Sequence, residues 1–437
     1  MNVAAPGLQL NWPTHEPRPS EAPLPLEGVR IVDFSHFAAG PLATMILAGM
    51  GADVIKVEPP SRGEDFRHYP PMHPTIPGCS APFFWANRTK RSVGLNLKSP
   101  AGADAARRLI ERSDVVVENF SAQVMKRFGL DFERCSELNP ALVYCSVSAY
   151  GRNSAYADRL GFDPVAQAEC GIIATTGYPD REGTRTLSSI VDIGTGMMAA
   201  NAILGALMAR YRTGKGQAVE VTLFGTGILM SGYPTMQYLF SGQEPGRNGN
   251  TSPDTSPSGV FRASDRSFYI NCANDQIFHR LAVQVLQRPD LADDPGLCKR
   301  AGRLERRDEL FAILGEVFAA APWAHWKPLM RAAAIPCGEV RTIGEALSSP
   351  EAAELDLVTL ISHPEVGWMP DIRLPIHYSD TPLADPRPAP TVGEHTREVL
   401  AEVLGITDLE LDAMACDHAF EASERGAQTA ARAEDEQ

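Results

Sequence analysis

The apolar residues between positions 27 and 225 change spacing in a regular way. "VRIVDFS" is a short β-branched run that predicts a strand; "HFAAGPLATMILAGMG" is apolar at helical spacing and closes on Gly49 and Gly51; "ADVIKVEPP" predicts a second strand. These lengths make a βαβ unit, with a right-handed crossover and parallel strands. "RSVGLNL" predicts a third strand ahead of the helix "SPAGADAARRLIERS", where Ser99 suits the N-cap and Pro100 the first helical position. "DVVVENF" and "ALVYCSVSAYG" read as buried strands on either side of a helical segment around "AQVMKRFG". From Asp192 a long helix, "TGMMAANAILGALMARYRTGKG", ends in basic residues and glycine, and the strand "QAVEVTLF" follows. Alternation of this kind implies an α/β fold built on a doubly wound parallel sheet.

Beyond residue 225 the pattern changes. "RNGNTSPDTSPSG" is a turn-rich loop, and "SFYINCAND" with the helices up to residue 335 predicts a smaller α/β domain over 226–335. "VGEHTREVLAEVLG" predicts a helix in the segment 336–415. Residues 1–26 carry Pro6, Pro13, Pro17, Pro19, Pro23 and Pro25 among few large apolar residues and predict a flexible arm; residues 416–437 predict a flexible tail.

Composition narrows the function. A formal net charge of -14 opposes general attraction to nucleic acid or a membrane surface, so an anionic ligand needs a local basic site. No apolar run reaches the roughly 18 residues that span a bilayer, and the N-terminus lacks the order of a secretory signal; the expected location is cytoplasmic. The eight cysteines are scattered, with no zinc or redox spacing, and read as reduced thiols that pack; the histidines show no metal-ligand spacing, so no metal is expected.

Three places offer chemistry. The turn "SHFAAGP" follows the first strand, where ligands meet open parallel sheets, though no G-x-G-x-x-G phosphate fingerprint is present; taken alone it reads first as a plain turn into a proline-started helix, with His36 satisfied or exposed. A basic group, Arg88, Lys90 and Arg91 with Lys126 and Arg127, suits phosphates or simple solvation, and Phe120 and Phe128 could flank an adenine or a pantetheine arm. Asp192 is the one charged residue in "LSSIVDIGTGMMAA". Aspartate there suits the N-cap of the following helix, which by itself accounts for it; the same geometry is compatible with a carboxylate presented to a cleft, with the N–H groups of Gly194 and Gly196 near a developing oxyanion.

"LEGVRIVDFSHFAAGPLATMILAGMGADVIKVEPP", "NRTKRSVGLNLKSPAG", "DVVVENF", "GFDPVAQAECGIIATTG", "IVDIGTGMMAANAILGALMARYRTGKGQAVEV" and "GEHTREVL" together resemble the class III CoA-transferases (CaiB/BaiF type), the family of formyl-CoA and carnitine CoA-transferases, in order from residue 26 to 410. The resemblance implies an interlocked homodimer, each subunit with a Rossmann-like large domain (27–225), a smaller domain and a C-terminal return to the large one (336–415). It implies that Asp192 is the catalytic nucleophile, with Ala38, Gly194 and Gly196 around the reacting centre. His36, Phe37 and Ala39 would line the CoA site, Leu95, Asn119, Phe120, Val124 and Arg127 would hold nucleotide and pantetheine, and Tyr150 would border the reacting atoms. The substrates implied are an acyl-CoA and a free small carboxylic or dicarboxylic acid, with no permanently bound cofactor.

Formyl-CoA transferases carry a glutamine at the position of Ala38, an arginine at Pro59 and a lysine at Ser148, and a glycine-only loop where this chain has "GRNGNTSPDTSPSG". Adenine contacts would then fall to Arg62 or Arg67, and Arg247 could meet a second carboxylate. Two alternatives stay open: an α-methylacyl-CoA racemase-like enzyme, whose relatives have a "GHD" motif where this chain reads "GFD" with Phe162, and a non-catalytic acyl-CoA binding protein.

Overall fold

Each strand and helix predicted over the first 225 residues forms in the computed structural model, which describes residues 12–76, 79–121 and 123–420, except that the expected strand 217–224 ends at Thr222. The helices Asp163–Glu169 and Leu223–Met230, which were not predicted, join them. In chain order these are β1 (Arg30–Asp33), α1 (Ala39–Gly49), β2 (Asp53–Glu58), β3 (Arg91–Gly94), α2 (Pro100–Glu111), β4 (Val115–Glu118), α3 (Val124–Phe128), β5 (Val143–Ser148), α4 (Asp163–Glu169), α5 (Ile190–Thr213), β6 (Gln217–Thr222) and α6 (Leu223–Met230). Ser99 caps α2 by accepting the Gly102 N–H, and Gly214 stops α5 in the left-handed region at φ 69°.

The six strands form one parallel sheet in the order β3-β2-β1-β4-β5-β6. Alternation along β1 sends Val32 and Phe34 into a core with Ile55, Val116 and Tyr144, closed by Leu109 of α2 and by Val399 and Leu400 of α7 (Thr396–Leu404). Asp33, on the other face, meets Thr44 of α1. The strand order reverses between β1 and β4, so the carboxyl ends of those strands frame a crevice.

Two compact units divide the chain. The first holds residues 1–170, 187–233 and 353–437; the second holds Gly171–Thr186 and Pro234–Ala352. The second is built around an antiparallel sheet of Ser258–Arg262, Ser267–Asn271 and Cys337–Glu339, with a core that includes Phe268, Phe318, Trp323 and Trp326. The expected limits of 27–225, 226–335 and 336–415 therefore shift. Residues 223–230 stay with the first unit because α6 packs on α4 and α5. Residues 171–186 join the second, where Gly249 N–H donates to Gly177 O (2.8 Å), and residues 337–339 complete its sheet.

Three further expectations are corrected. The described part of the 1–26 arm is paired: Leu360 N–H donates to Pro13 O and His15 N–H to Leu360 O, both at 2.8 Å, and Asp385 Oδ1 takes the Arg18 N–H at 2.9 Å. Pro13 needs no donor there because it contributes its carbonyl. The described part of the expected tail, 416–437, is packed: Ala419 and Phe420 are buried in the main core after α8 (Asp408–Cys416). The remaining arm and tail residues, 1–11 and 421–437, lie outside the described residues. Finally, α5 is long and apolar enough by length and composition to cross a bilayer, contrary to the expected absence of such a run; it packs on α1, α6, β5 and β6.

Gly196 sets how closely α5 approaches α1: a Cβ there would lie 2.7 Å from the Ala39 carbonyl oxygen and 3.1 Å from Leu42. Gly196→Ala is expected to lower unfolding stability by about 1–3 kcal/mol, because overpacking against backbone exceeds the gain in helix propensity. A lowered urea midpoint in equilibrium unfolding checks this.

Candidate active site

The turn after β1 is pinned from both sides of the crevice. Asn119, just past β4, accepts the His36 N–H (2.9 Å) and donates to the His36 carbonyl (2.8 Å). Glu64 accepts the Phe37 N–H at 2.7 Å and fixes that residue at φ 61°, an uncommon conformation outside glycine. Glu64 is paired with the fully buried Lys56 at 2.8 Å, whose ammonium also donates to the Ser35 carbonyl (2.8 Å). Beneath the turn Asp33 accepts from Ser35 N–H and Oγ, Thr44 Oγ1 and Lys90 Nζ. Burial alone would raise the Asp33 carboxyl; Lys90 and Lys56 with the two hydroxyls outweigh it and hold it well below the usual range. Burial first, and then Lys56, lower His36 to about 4, so the imidazole is neutral near pH 7. Its Nδ1 is buried without a partner among the described residues.

Asp192 does not cap its own helix. α5 starts two residues earlier, at Ile190, so Asp192 sits in the first turn. The cap comes from Asp163 of α4, whose Oδ2 accepts the N–H groups of Val191 (2.8 Å) and Asp192 (3.2 Å) while Oδ1 accepts from Gln167 Nε2 (2.5 Å). Two carboxylates are therefore held beside one helix end. Burial, and then the Asp163 charge, raise Asp192 to about 7.

The expected oxyanion role of Gly194 and Gly196 meets a conflict. Both lie at or beyond the fifth residue of α5, where N–H groups bind carbonyls of the preceding turn. Their missing side chains serve packing: Gly194 faces Met230 and Thr226 of α6, and Gly196 faces Ala39. Asp192 and Gly196 are four residues apart on one face, which sets the nucleophile candidate one helical turn from the start of α1. Ala38, 5% exposed, precedes α1 and accepts the Leu42 N–H.

The motif "GFD" ties these parts together. A Cβ on Gly161 would lie 2.6 Å from Ala149 Cβ and 3.3 Å from the Tyr150 ring; the Phe162 ring meets Phe37 edge-on at 5.6 Å; Asp163 caps α5. Tyr150 donates to Glu169 Oε2 at 2.6 Å, and the Arg159 guanidinium lies 4.5 Å over its ring.

At the carboxyl ends of β2 and β3 a cavity of about 840 Å³ is lined by Phe34, Pro59, Leu95, Phe120, Val124 and Phe128, among others. The His36 and Phe120 rings meet at 5.1 Å, linking this cavity to the turn. Leu95, Phe120 and Val124 thus line one cavity together, and Asn119 holds His36 rather than lining it. Arg127 is exposed on α3 and off the lining.

Neither arginine proposed for adenine lines this cavity. Arg62 is exposed and pairs with Asp65 at 2.7 Å. Arg67 is 1% exposed, with its guanidinium bonded to Glu58 and the Pro390 carbonyl and stacked on Phe83 at 3.7 Å. Arg88, Lys90 and Arg91 also pair internally, with Asp371, Asp33 and Asp53, so they are neither solvated nor phosphate ligands. In the second unit Arg247 donates to the carbonyls of Ala174, Tyr178 and Arg181, so three of its five N–H donors hold the segment 174–181. Asp163, Glu64 and Lys56 are the site residues that spacing did not single out; Asp163, ahead of Pro164 at a helix start, carried the only local signal.

This arrangement defines a doubly wound α/β protein with its candidate site at the switch point of a six-stranded parallel sheet. The chain belongs to CoA-transferase family III, whose family model matches residues 26–396, and it is an enzyme of that family. It is 36% identical over 386 residues to the succinate–glutarate CoA-transferase of Agrobacterium fabrum, covering 87% of this chain and 96% of that protein. The succinyl-CoA:glutarate CoA-transferase of Mus musculus is 33% identical over 400 residues, 92% of this chain and 91% of that one. The crystal structure of a CaiB/BaiF family protein from Brucella suis matches with a TM-score of 0.78 at 34% identity, over 87% of this chain and 100% of that one.

Asp192 stands at about 7 in the folded chain and an unfolded aspartate at about 3.9. The native state holds the extra proton between those values, so this residue's contribution to stability is lost as pH rises from about 4 through about 7. Asp192→Asn is expected to be more stable than the natural chain at pH 8, by at most about 4 kcal/mol and with a higher unfolding temperature, the difference vanishing near pH 4. Thermal unfolding at the two pH values measures it.

Proposed function

We propose that Asp192 carries CoA from an acyl-CoA donor to a small dicarboxylic acid through an aspartyl-CoA thioester. A solvated carboxylate is a weak nucleophile; burial beside Asp163 withholds water from Asp192 and raises its basicity, and this single observation carries the reading. CoA lies along the cavity lined by Leu95, Phe120 and Val124, with its sulfur toward the turn at His36 and Phe37.

The Asp192 carboxylate attacks the donor thioester carbonyl and expels CoA thiolate, giving a mixed anhydride. The thiolate attacks the aspartyl carbonyl, and the donor acid departs with one of the aspartate oxygens. The acceptor carboxylate then attacks the aspartyl thioester, and the thiolate takes the acceptor's acyl group. Asp192 is left with an oxygen from the acceptor. Every step exchanges one carboxyl derivative for another, so no group besides the two substrates enters. CoA's remote contacts keep the thiolate beside the anhydride between steps.

The names of the relatives support a dicarboxylic acid, since two of them pair succinate or succinyl-CoA with glutarate. Phe162 has no proton to exchange and packs on Phe37, which favours transfer over racemisation. The exposed apolar side chains Met197, Met208 and Tyr211 on α5 and Leu229 on α6 support association of two copies. Eight free cysteines, five of them buried, suit a reducing, cytoplasmic setting.

With glutarate labelled with oxygen-18 at both carboxylates and succinyl-CoA as donor, the peptide bearing Asp192 is expected to gain label during turnover, read by mass spectrometry after proteolysis. Asp192→Asn is expected to lose at least about 10³-fold in exchange rate. Turnover without label at Asp192, or full activity in Asp192→Asn, overturns the proposal.

A further inference from the structure

One wall of the cavity comes from residues outside the family match. The matched segment ends at residue 396, yet Ala415, His418 and Phe420 line the same cavity as Leu95 and Phe120. They are firmly placed. α8 opens with a capping box in which Thr407 and Glu410 satisfy each other's backbone N–H groups. After it the chain turns through His418 at φ 54°. Asn96, next to Leu95, donates its backbone N–H to the Ala419 carbonyl (2.8 Å) and its side-chain amide to the His418 carbonyl (3.1 Å). Phe420 is 3% exposed and lies in the main core, with the Arg397 guanidinium 5.9 Å from its ring.

The cavity rim carries two groups that the fold does not use. The Lys98 ammonium and the His418 imidazole are exposed, line the cavity and make no hydrogen bond or ion pair among the described residues. Of the other cations near this end of the sheet, Arg67 is spent on Glu58 and Arg62 on Asp65, and Lys126 and Arg127 on α3 lie off the lining. Pro59, on the lining, offers no charge. In a chain of net charge -14, two free donors beside a large, partly aromatic cavity are a local site for an anion with an apolar body. A volume of about 840 Å³ falls in the range of pockets that take whole cofactors or their nucleotide ends.

We propose that residues 415–420 complete the pocket for the nucleotide end of CoA, with His418 and Lys98 holding the ribose 3′-phosphate and Phe420 joining Phe34 and Phe128 as the apolar wall. This rests on the placing of CoA in the cavity given above. The C-terminal turn thereby acts in substrate affinity, and the loop after β3 is its anchor through Asn96. A histidine suits the position because imidazole donates a hydrogen bond in either charge state.

The test is calorimetric titration of the full chain with CoA and with dephospho-CoA, which lacks only the 3′-phosphate. The natural protein is expected to bind CoA more tightly. His418→Asn keeps a residue that tolerates positive φ but shortens the donor; it is expected to lose about tenfold in affinity for CoA and little for dephospho-CoA, the size of one charge-assisted hydrogen bond. Equal losses for both ligands, or no loss for CoA, overturn the proposal. Val124→Trp, which fills the cavity from α3, separates this from the assignment beneath it. CoA binding that survives Val124→Trp removes CoA from the cavity and both readings fail. CoA binding that Val124→Trp abolishes while His418→Asn leaves it untouched refutes the C-terminal wall alone. Circular dichroism of each variant confirms that it is folded.

Discussion

A carboxylate on one helix caps another helix, and the chemistry at this site depends on that arrangement. Asp163 Oδ2 satisfies the N–H groups of Val191 and Asp192, which no side chain within α5 reaches. The cap relieves Asp192 of the role its position near a helix start suggests and leaves its own carboxylate unspent. It also sets a negative charge close to that carboxylate in a buried setting, where like charges raise proton affinity. Asp163 is itself steadied by Gln167 and by the preceding Gly161 and Phe162, whose contacts reach Tyr150 and Phe37. A change in any of the three residues of "GFD" would reach the reacting centre through a different neighbour.

The opposite side of the crevice relies on buried ions. Lys56, Glu64, Asp33 and Lys90 are each 5% exposed or less, and their charges close on one another and on the backbone of residues 35–37. Such groups cost several kcal/mol to desolvate, and removing one partner of a buried pair typically costs about 3–5 kcal/mol. Their return here is geometric. The pair of Lys56 and Glu64 holds Phe37 at positive φ, and Asn119 holds His36, so the three-residue turn from β1 to α1 keeps a fixed shape without glycine at its centre.

The parallel sheet was legible because alternation and β-branched runs are local signals, and so were the Ser99 cap and the stop at Gly214. The aromatic pair Phe120 and Phe128 lines one cavity because one residue precedes a single short helix and the other ends it. The trans cap was not legible: Asp163 and Val191 are 28 residues apart, and no spacing rule links them. Asp192 therefore looked like its own cap. The basic residues misled in the same way, since charge on paper reads as solvated or ligand-binding, whereas Arg67, Arg88 and Lys90 are buried against acids that lie far along the chain or on neighbouring strands. Glycines 194 and 196 suggested free N–H groups, but inside a helix their value is the absent side chain. Segment 171–186 left its sequence neighbours because its bonds run to residues 247–249.

The ionisation of Asp192 itself is the most direct measurement. Infrared difference spectra of the natural chain against Asp192→Asn, recorded across pH, isolate the carboxyl stretch of that one residue, and the same titration on an Asp163→Asn background removes the neighbouring charge. A midpoint near 7 in the first case, displaced to lower pH in the second, is the expected result. A midpoint near the ordinary aspartate value of about 4, unmoved by the change at 163, would contradict the coupling of these two carboxylates.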